Sequence, residues 1–269
     1  MKLRIGFARE TEYEAAVREN HPGSLVPRKS VVQVRFPGKG ISLAYYNDRF
    51  DLRVGDLVYV DGKLEGKPGR VTAVNYNFKI KLSEYKRVVS LVNTSVVGQF
   101  CFAGTHFVTF DRGAIPVSKV VTWFKPPVGE NEEVVTGSDG SSFRLSNLEG
   151  MKIRPEIAER GHEYYMENRV IYISIDNGRG YAIVEGSEAY EVDFEYRDGE
   201  IGCLTCSCFC SYPCKHEFAA MLQLRETMER IQEHYRAEYE AAGYFAAIRR
   251  ETLAAFAVEG KSAGSFTLN

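Results

Sequence analysis

The sequence predicts an α+β protein: a small antiparallel β-barrel-like N-terminal domain, then a helix plus β-meander module that ends in long C-terminal helices. Short apolar runs separated by Gly and Asp fill the first 125 positions. After position 150, a helical pattern precedes the hairpin dipeptides Asn-Gly and Asp-Gly, and apolar residues at three-four spacing follow. A chain of 269 residues, 44% hydrophobic and 26% charged, is long enough for two domains.

Residues 1–125 are predicted to form the β-rich, barrel-like domain. Gly and Asp separate its apolar runs at intervals that suit a small barrel better than a parallel sheet. Residues 75–82 alternate between apolar and polar, so one face of this run is expected to be buried and the other wet. The other strand-like runs are 31–36, 58–60, 71–74, 107–110 and 117–124.

The stretch 126–150 is predicted to be an exposed loop or linker, because its first part combines Pro, Gly, Ser and acidic residues. A second module is predicted at 151–224. In this module Pro155 suits the first turn of a helix. The Asn-Gly that begins at Asn177 and the Asp-Gly that begins at Asp198 favour tight hairpins, so a β-meander leads the chain to its cysteines.

The second module carries a cluster of metal-ligand residues in an otherwise cysteine-poor chain. Its pattern is Cys-x-Cys, five residues, then Cys-x-His, and five of the six cysteines lie within twelve residues. Such crowding suits a metal better than disulfides, which would join distant segments. The predicted ligands are Cys206, Cys208, Cys214 and His216. The alternative ligands, near enough in sequence to replace one of these, are Cys203 and Cys210.

Zn²⁺ suits this donor set, because three thiolates and one imidazole supply a closed tetrahedral site. No coordination position is left for water, so the metal is expected to be structural rather than catalytic. Cys214 and His216 are two residues apart and cannot share one face of a helix. Cys214 is therefore expected just before a helix and His216 in its opening turn.

The segment from about 153 to 224 resembles a SWIM-type zinc finger, whose pattern is Cys-x-Cys, a variable gap, then Cys-x-His at the start of a helix. Upstream, the family shows a helix with an Arg-Gly and aromatic signature, followed by strands with Gly-Ser and Tyr-x-Val. The residues that correspond here are Ala158, Arg160, Gly161, Tyr164, Tyr165, Gly186, Ser187, Tyr190 and Val192. Glu217 departs from the pattern, since the family helix usually continues with an apolar residue. The resemblance implies a role in contacts with DNA or with protein.

A helical extension is predicted at 225–258, followed by a flexible tail at 259–269. Apolar residues recur at three-four spacing over 221–235, which predicts a helix buried along one side. Gly243 is expected to end or kink it, and a shorter helix is expected at 244–257. The apolar stripe lasts only about two heptads, so packing on the protein's own strands is favoured over dimerisation through this helix.

Charge is distributed unevenly, although the net charge is only −2. Residues 1–100 hold 17 Lys/Arg against 10 Asp/Glu, whereas residues 151–202 hold 6 against 12. The basic part favours phosphate contacts and the acidic part favours a protein partner, so nucleic acid and protein both stay open as partners. The predicted nucleic-acid contacts, which lie beside aromatic residues, are Arg35, Lys39, Lys86 and Arg87.

The sequence contains no P-loop, Gly-x-Ser-x-Gly, His-Glu-x-x-His or dinucleotide fingerprint, so no enzymatic activity is expected. Thiol redox chemistry at Cys203 and Cys206 is a weaker alternative, because the βαβ context of such sites is missing. The first nine residues hold too few apolar side chains for a signal peptide, and no apolar run approaches about 18 residues. A cytoplasmic protein without a membrane partner is expected.

Overall fold

The computed structural model describes residues 2–6, 27–36, 39–127, 135–210, 213–260 and 264–269. Within these ranges the chain forms fifteen strands in two sheets and five α-helices. The strands are β1 (Leu3–Gly6), β2 (Ser30–Phe36), β3 (Ile41–Asn47), β4 (Leu57–Val60), β5 (Gly69–Asn75), β6 (Val88–Val92), β7 (Val97–Ala103), β8 (His106–Thr109), β9 (Ser142–Arg144), β10 (Val170–Asp176), β11 (Arg179–Glu185), β12 (Ala189–Arg197), β13 (Glu200–Cys206), β14 (Tyr244–Arg249) and β15 (Ser265–Leu268). The helices are α1 (Val117–Val121), α2 (Pro155–Met166), α3 (Lys215–His234), α4 (Arg236–Ala242) and α5 (Arg250–Leu253).

The larger sheet has ten strands in the order β1-β15-β7-β8-β14-β10-β11-β12-β13-β9. Its neighbours are antiparallel except for β15 and β7, which run parallel. Strands β10 to β13 pair in sequence order, as the hairpin dipeptides predict. Asn177 and Asp198 both have a φ of 49°, and each precedes a glycine with a φ of 81°. Two-residue hairpin turns of this type need positive φ at both central positions.

The smaller sheet is open, so the predicted β-barrel is wrong. Its five strands follow the order β3-β2-β5-β4-β6. One isolated bridge between Tyr46 and Arg87 links β3 to the residues just before β6, but among the described residues no ladder joins these two edge strands. In addition, β7 and β8 belong to the larger sheet, although they lie within the first 125 residues. The boundary near 126–150 stays a prediction.

Two segments that were predicted as β-structure differ locally. The alternating run at 75–82 is mostly outside any strand, and Tyr76 and Leu82 are 36% and 47% exposed, so its apolar positions do not mark a buried face. The second segment is the run 117–124. Its first part forms α1, which begins directly after Pro116 and buries Val120. Tertiary packing here overrides the preference of valine for strands.

The C-terminal part also departs from the prediction. Helices α3 and α4 follow the predicted pattern up to Gly243, which ends α4 with a φ of 57°. The segment 244–257, predicted as a helix, is helical only from Arg250 onward. Its first part is β14, which lies between β8 and β10 inside the larger sheet. Five of its six residues are buried, so no wet face distinguishes a strand from a helix in the sequence. The predicted flexible tail contains β15, which pairs with both β1 and β7.

The larger sheet separates two apolar cores. On one face, α3 packs against β10 to β13, with α2 beside it. The other face carries Trp123, whose ring is stacked on Phe256 at a centroid distance of 5.3 Å. The smaller sheet has a third core around Val32 and Val58. This arrangement fixes the N-terminal end of α3 next to the end of β13.

A glycine in β11 permits a close approach between two strands. Gly180 lies opposite Phe194 of β12, and a Cβ at Gly180 would stand 1.9 Å from Cε2 of that ring. The phenylalanine ring therefore covers the glycine backbone and leaves no space for a side chain.

We expect Gly180→Ala to lower the free energy of unfolding by about 2–3 kcal/mol, because Phe194 is buried and must leave its position. Urea denaturation followed by circular dichroism measures this change. Gly202→Ala, in β13 of the same sheet, is the matched control, since no atom lies within 4 Å of its added Cβ. Its effect is expected to stay within about 0.5 kcal/mol. Equal losses in the two variants would contradict the steric explanation.

Candidate metal centre

The four predicted ligands come together at the N-terminal end of α3. Cys206 ends β13, and Cys208 lies in the bend that follows. Cys214 directly precedes α3, and His216 lies in its first turn, as predicted. The four ligand atoms all lie within 4.8 Å of one another. The structure therefore forms a Cys₃His group that could hold a metal ion.

The spacing of these atoms fits a tetrahedral site. The Sγ atoms of Cys206 and Cys214 each lie 3.8 Å from Nδ1 of His216. Ligands that bind zinc tetrahedrally at about 2.0–2.3 Å lie about 3.5–3.8 Å from one another. These two distances thus match those expected for ligands around one ion.

Aromatic packing fixes the ring of His216. Tyr190 stacks on this ring at a centroid distance of 4.1 Å, and Tyr164 meets it edge-on at 5.5 Å. Nε2 of His216 is buried and has no hydrogen-bond partner among the described residues. The hydrogen bond expected from the second nitrogen of a metal-bound histidine is thus not formed among the described residues. In sequence, the Gly-Ser and Tyr-x-Val signature marked Tyr190 without revealing this contact.

Glu217 has a local structural role that its sequence position did not reveal. Its Oε2 accepts a hydrogen bond of 2.7 Å from the backbone N–H of Cys214, while its own N–H donates to Sγ of Cys214 at 3.4 Å. These two bonds form a capping box at the start of α3. The departure from the apolar family pattern at this position is therefore explained by helix capping.

The ionisation of the cluster depends on its burial. Burial raises the pKa of the Cys208 thiol to about 12. Two causes raise the pKa of Cys214 far above its usual range: the larger is a hydrogen bond with Cys206, and the second is burial. Burial, together with the nearby charge of Lys215, lowers the pKa of His216 to about 4. The imidazole is therefore neutral, as a metal ligand must be, whereas the crowded thiols need a cation to stabilise their charged form.

The two alternative ligands lie outside the cluster. Cys203 and Cys210 are both exposed, and neither belongs to the group of ligand atoms. Cys203 has a φ of 51° and lies where β13 gains one residue relative to β12, which is a β-bulge. The bulge lies between Cys203 and Cys206. Their Cys-x-x-Cys spacing therefore does not bring the Cys203 thiol into the Cys₃His group.

The structure does not bring the four predicted nucleic-acid contacts together. Arg35 pairs with Ser42, whereas Arg87 forms a bridge with Tyr46 four positions further along β3. Four strand residues span about 13 Å. Arg35 and Lys39 thus lie towards one end of the β2–β3 hairpin, and Lys86 and Arg87 lie near the other.

Arg87 is also engaged within the protein. Its guanidinium forms an ion pair with Asp48 and lies 5.1 Å from the ring centre of Tyr46. Phe36, next to Arg35, is buried in the core of the smaller sheet rather than exposed for base stacking. These contacts give Arg87 and Phe36 structural roles.

The comparisons with known proteins add no relative. No protein-family model, no curated protein and no solved structure matches this chain. In the part of the chain that the structure describes, no helix has the length and apolar character needed to cross a membrane. The interpretation of the site therefore depends on its own geometry.

Proposed function

We propose that this chain binds one Zn²⁺ through Cys206, Cys208, Cys214 and His216, and that the metal organises a non-catalytic module for contacts with another protein. The observation that carries the proposal is the convergence of four ligand atoms within 4.8 Å. Thiolate and imidazole donors favour zinc over Ca²⁺ or Mg²⁺, which take oxygen ligands. The donor set also agrees with the SWIM-type pattern.

Such a zinc ion would have a structural role. Four side chains complete its coordination, so no position remains for a substrate or for an activated water. The metal would join the end of β13 to the start of α3.

Two features favour a protein partner. Phe209 lies between Cys208 and Cys210 and is fully exposed, and aromatic residues of this kind anchor protein interfaces. The surrounding segment 151–202 holds twice as many acidic as basic residues, which opposes a phosphate backbone. Nucleic-acid binding through Arg35, Lys39, Lys86 and Arg87 is the alternative, and strong salt dependence of binding would favour it.

The zinc content of the purified protein tests the proposal. We expect elemental mass spectrometry to find about one zinc per chain in the wild type and almost none in Cys214→Ser, which removes a buried ligand. Cys210→Ser and Cys203→Ser are matched controls, because both cysteines are exposed and outside the cluster. Each control should keep its zinc. Reduced wild-type protein without zinc would refute the proposal, and loss of zinc in one control would assign that cysteine as a ligand.

A further inference from the structure

A concave site lies away from the cysteines, between α2, α3 and the 3-10 helix Leu148–Met151. The cleft has a volume of about 390 Å³, within the roughly 300–1,000 Å³ of ligand-binding pockets. Its apolar lining consists of Leu148, Ile153, Ala158, Phe218 and Leu222. The residues on its third wall, Ser146, Asn147 and Glu149, are exposed, so the cleft opens to solvent.

An arginine without a partner stands at this cleft. Arg225 is half-buried and makes no hydrogen bond or ion pair with any described residue. By contrast, Arg230 on the same helix pairs with Glu226 at 3.0 Å. A half-buried guanidinium has already lost part of its hydration, so a carboxylate can bind it at less cost than a fully hydrated cation.

The cation and the apolar surface are aligned along α3. Phe218, Leu222 and Arg225 are spaced by four and three residues, so they share one face of the helix. The distance along the axis from Phe218 to Arg225 is about 10 Å, because each helical residue rises about 1.5 Å. One short peptide segment can therefore contact both the apolar surface and the guanidinium.

We propose that the cleft between α2 and α3 binds a short protein segment in which an apolar side chain lies within three residues of an Asp or Glu. The apolar side chain packs on Phe218 and Leu222, and the carboxylate pairs with Arg225. This inference extends the proposed protein-contact function. It rests on that function only in taking the partner to be a protein.

A peptide fits this cleft better than a small molecule. Pockets for small molecules bury most of the ligand surface, whereas this cleft has an exposed wall of polar residues along which a peptide backbone can lie. Asn147 lies on this wall and uses its side-chain oxygen to cap the 3-10 helix, accepting from the N–H of Glu149. Its amide N–H groups can donate to the backbone of a peptide.

A selection from random nine-residue displayed peptides tests this inference on the full-length protein, with zinc content measured on the same samples. We expect peptides with the apolar-acidic pair to be enriched on the wild type and lost on Arg225→Gln. Fluorescence polarisation with the enriched peptide should then show a Kd at least about tenfold weaker for Arg225→Gln, as for the loss of a buried charge pair. Arg236→Gln is the control, because Arg236 is exposed and lies on α4.

A thermodynamic cycle makes the assignment specific. Replacing the acidic residue of the peptide by its amide should weaken binding to the wild type tenfold but leave binding to Arg225→Gln unchanged. Enrichment of peptides without acidic residues, or equal affinity for the two proteins, would overturn the inference. Binding of labelled single-stranded DNA without any peptide enrichment would also overturn it. Zinc is measured in parallel, so the two proposals can fail separately. Protein that contains zinc but enriches no peptide contradicts the cleft proposal, whereas protein without zinc contradicts the metal site.

Discussion

Removal of the metal is expected to open the junction between β13 and α3 while leaving the rest of the larger sheet folded. In small zinc-finger peptides the metal contributes on the order of 10 kcal/mol of apparent folding free energy. Here α3 buries eleven of its residues against the protein, and β13 pairs with β12 and β9, so these elements retain their own contacts. The loss of stability should therefore be concentrated around the three ligand cysteines, Cys206, Cys208 and Cys214, and in the first turn of α3.

Hydrogen exchange measures this prediction directly. After treatment of the wild type with a zinc chelator, we expect amides of residues 205–210 and 214–218 to exchange at least about a hundredfold faster, which corresponds to about 3 kcal/mol. Amides of β10 and β14, in the centre of the sheet, should change little. Chelator treatment of Cys214→Ser should have no further effect, since that variant already lacks a ligand. Uniform acceleration across the sheet would instead assign the metal a global role.

The sequence predicted the candidate site better than it predicted the fold around it. Metal-ligand spacing is local: Cys214 and His216 lie within one helical turn, and their placement follows from α-helical geometry. The hairpins after Asn177 and Asp198 were predictable for the same reason, because their turns require positive φ within two residues. These features depend on few residues and need no knowledge of the remaining chain.

The errors arose where distant segments decide the structure. The apolar run 244–249 is a central strand because β8 and β10 lie on either side of it, and neither neighbour is close in sequence. The segment at Phe266 is a strand because β1 and β7 supply its partners. The ladder that would have closed a barrel is absent between β3 and β6 in the described chain, and no local pattern encodes that absence. The cleft at Arg225, which has no ion-pair partner among the described residues, likewise depends on the packing of α2 against α3, which no local pattern encodes.

Acid is expected to destabilise the protein through His106, to which the sequence assigned no role. This side chain is fully buried at the start of β8, and its Nε2 lies 2.7 Å from the carbonyl oxygen of Val170. Nε2 must donate this hydrogen bond, so Nδ1 is left to accept one from the hydroxyl of Thr105 at 3.0 Å. In the neutral ring, these two contacts select the tautomer that carries its proton on Nε2.

Burial lowers the pKa of His106 to about 4, compared with 6.5 for an unperturbed histidine. The hydrogen bond to the Val170 carbonyl and the carboxylates of Glu226 and Glu251 raise its pKa, and Arg249 lowers it, but burial dominates. Between pH 6.5 and about 4 the unfolded chain binds a proton at this residue and the folded chain does not. The free energy of unfolding should therefore fall by about 3 kcal/mol as the pH falls through this window. This contribution of His106 to stability should be fully present above pH 6.5.

Urea denaturation of wild-type protein and His106→Gln at several pH values isolates this effect, because any loss of metal in acid is common to both proteins and cancels in their difference. The variant loses part of the hydrogen bonding and is expected to be less stable at pH 7, but its disadvantage should shrink by about 3 kcal/mol between pH 6.5 and 4. His162→Gln, on the exposed side of α2, should follow the wild type throughout. If the wild type and His106→Gln lose stability in parallel, His106 binds its proton at the same pH in the folded and unfolded protein, and the lowered pKa is wrong.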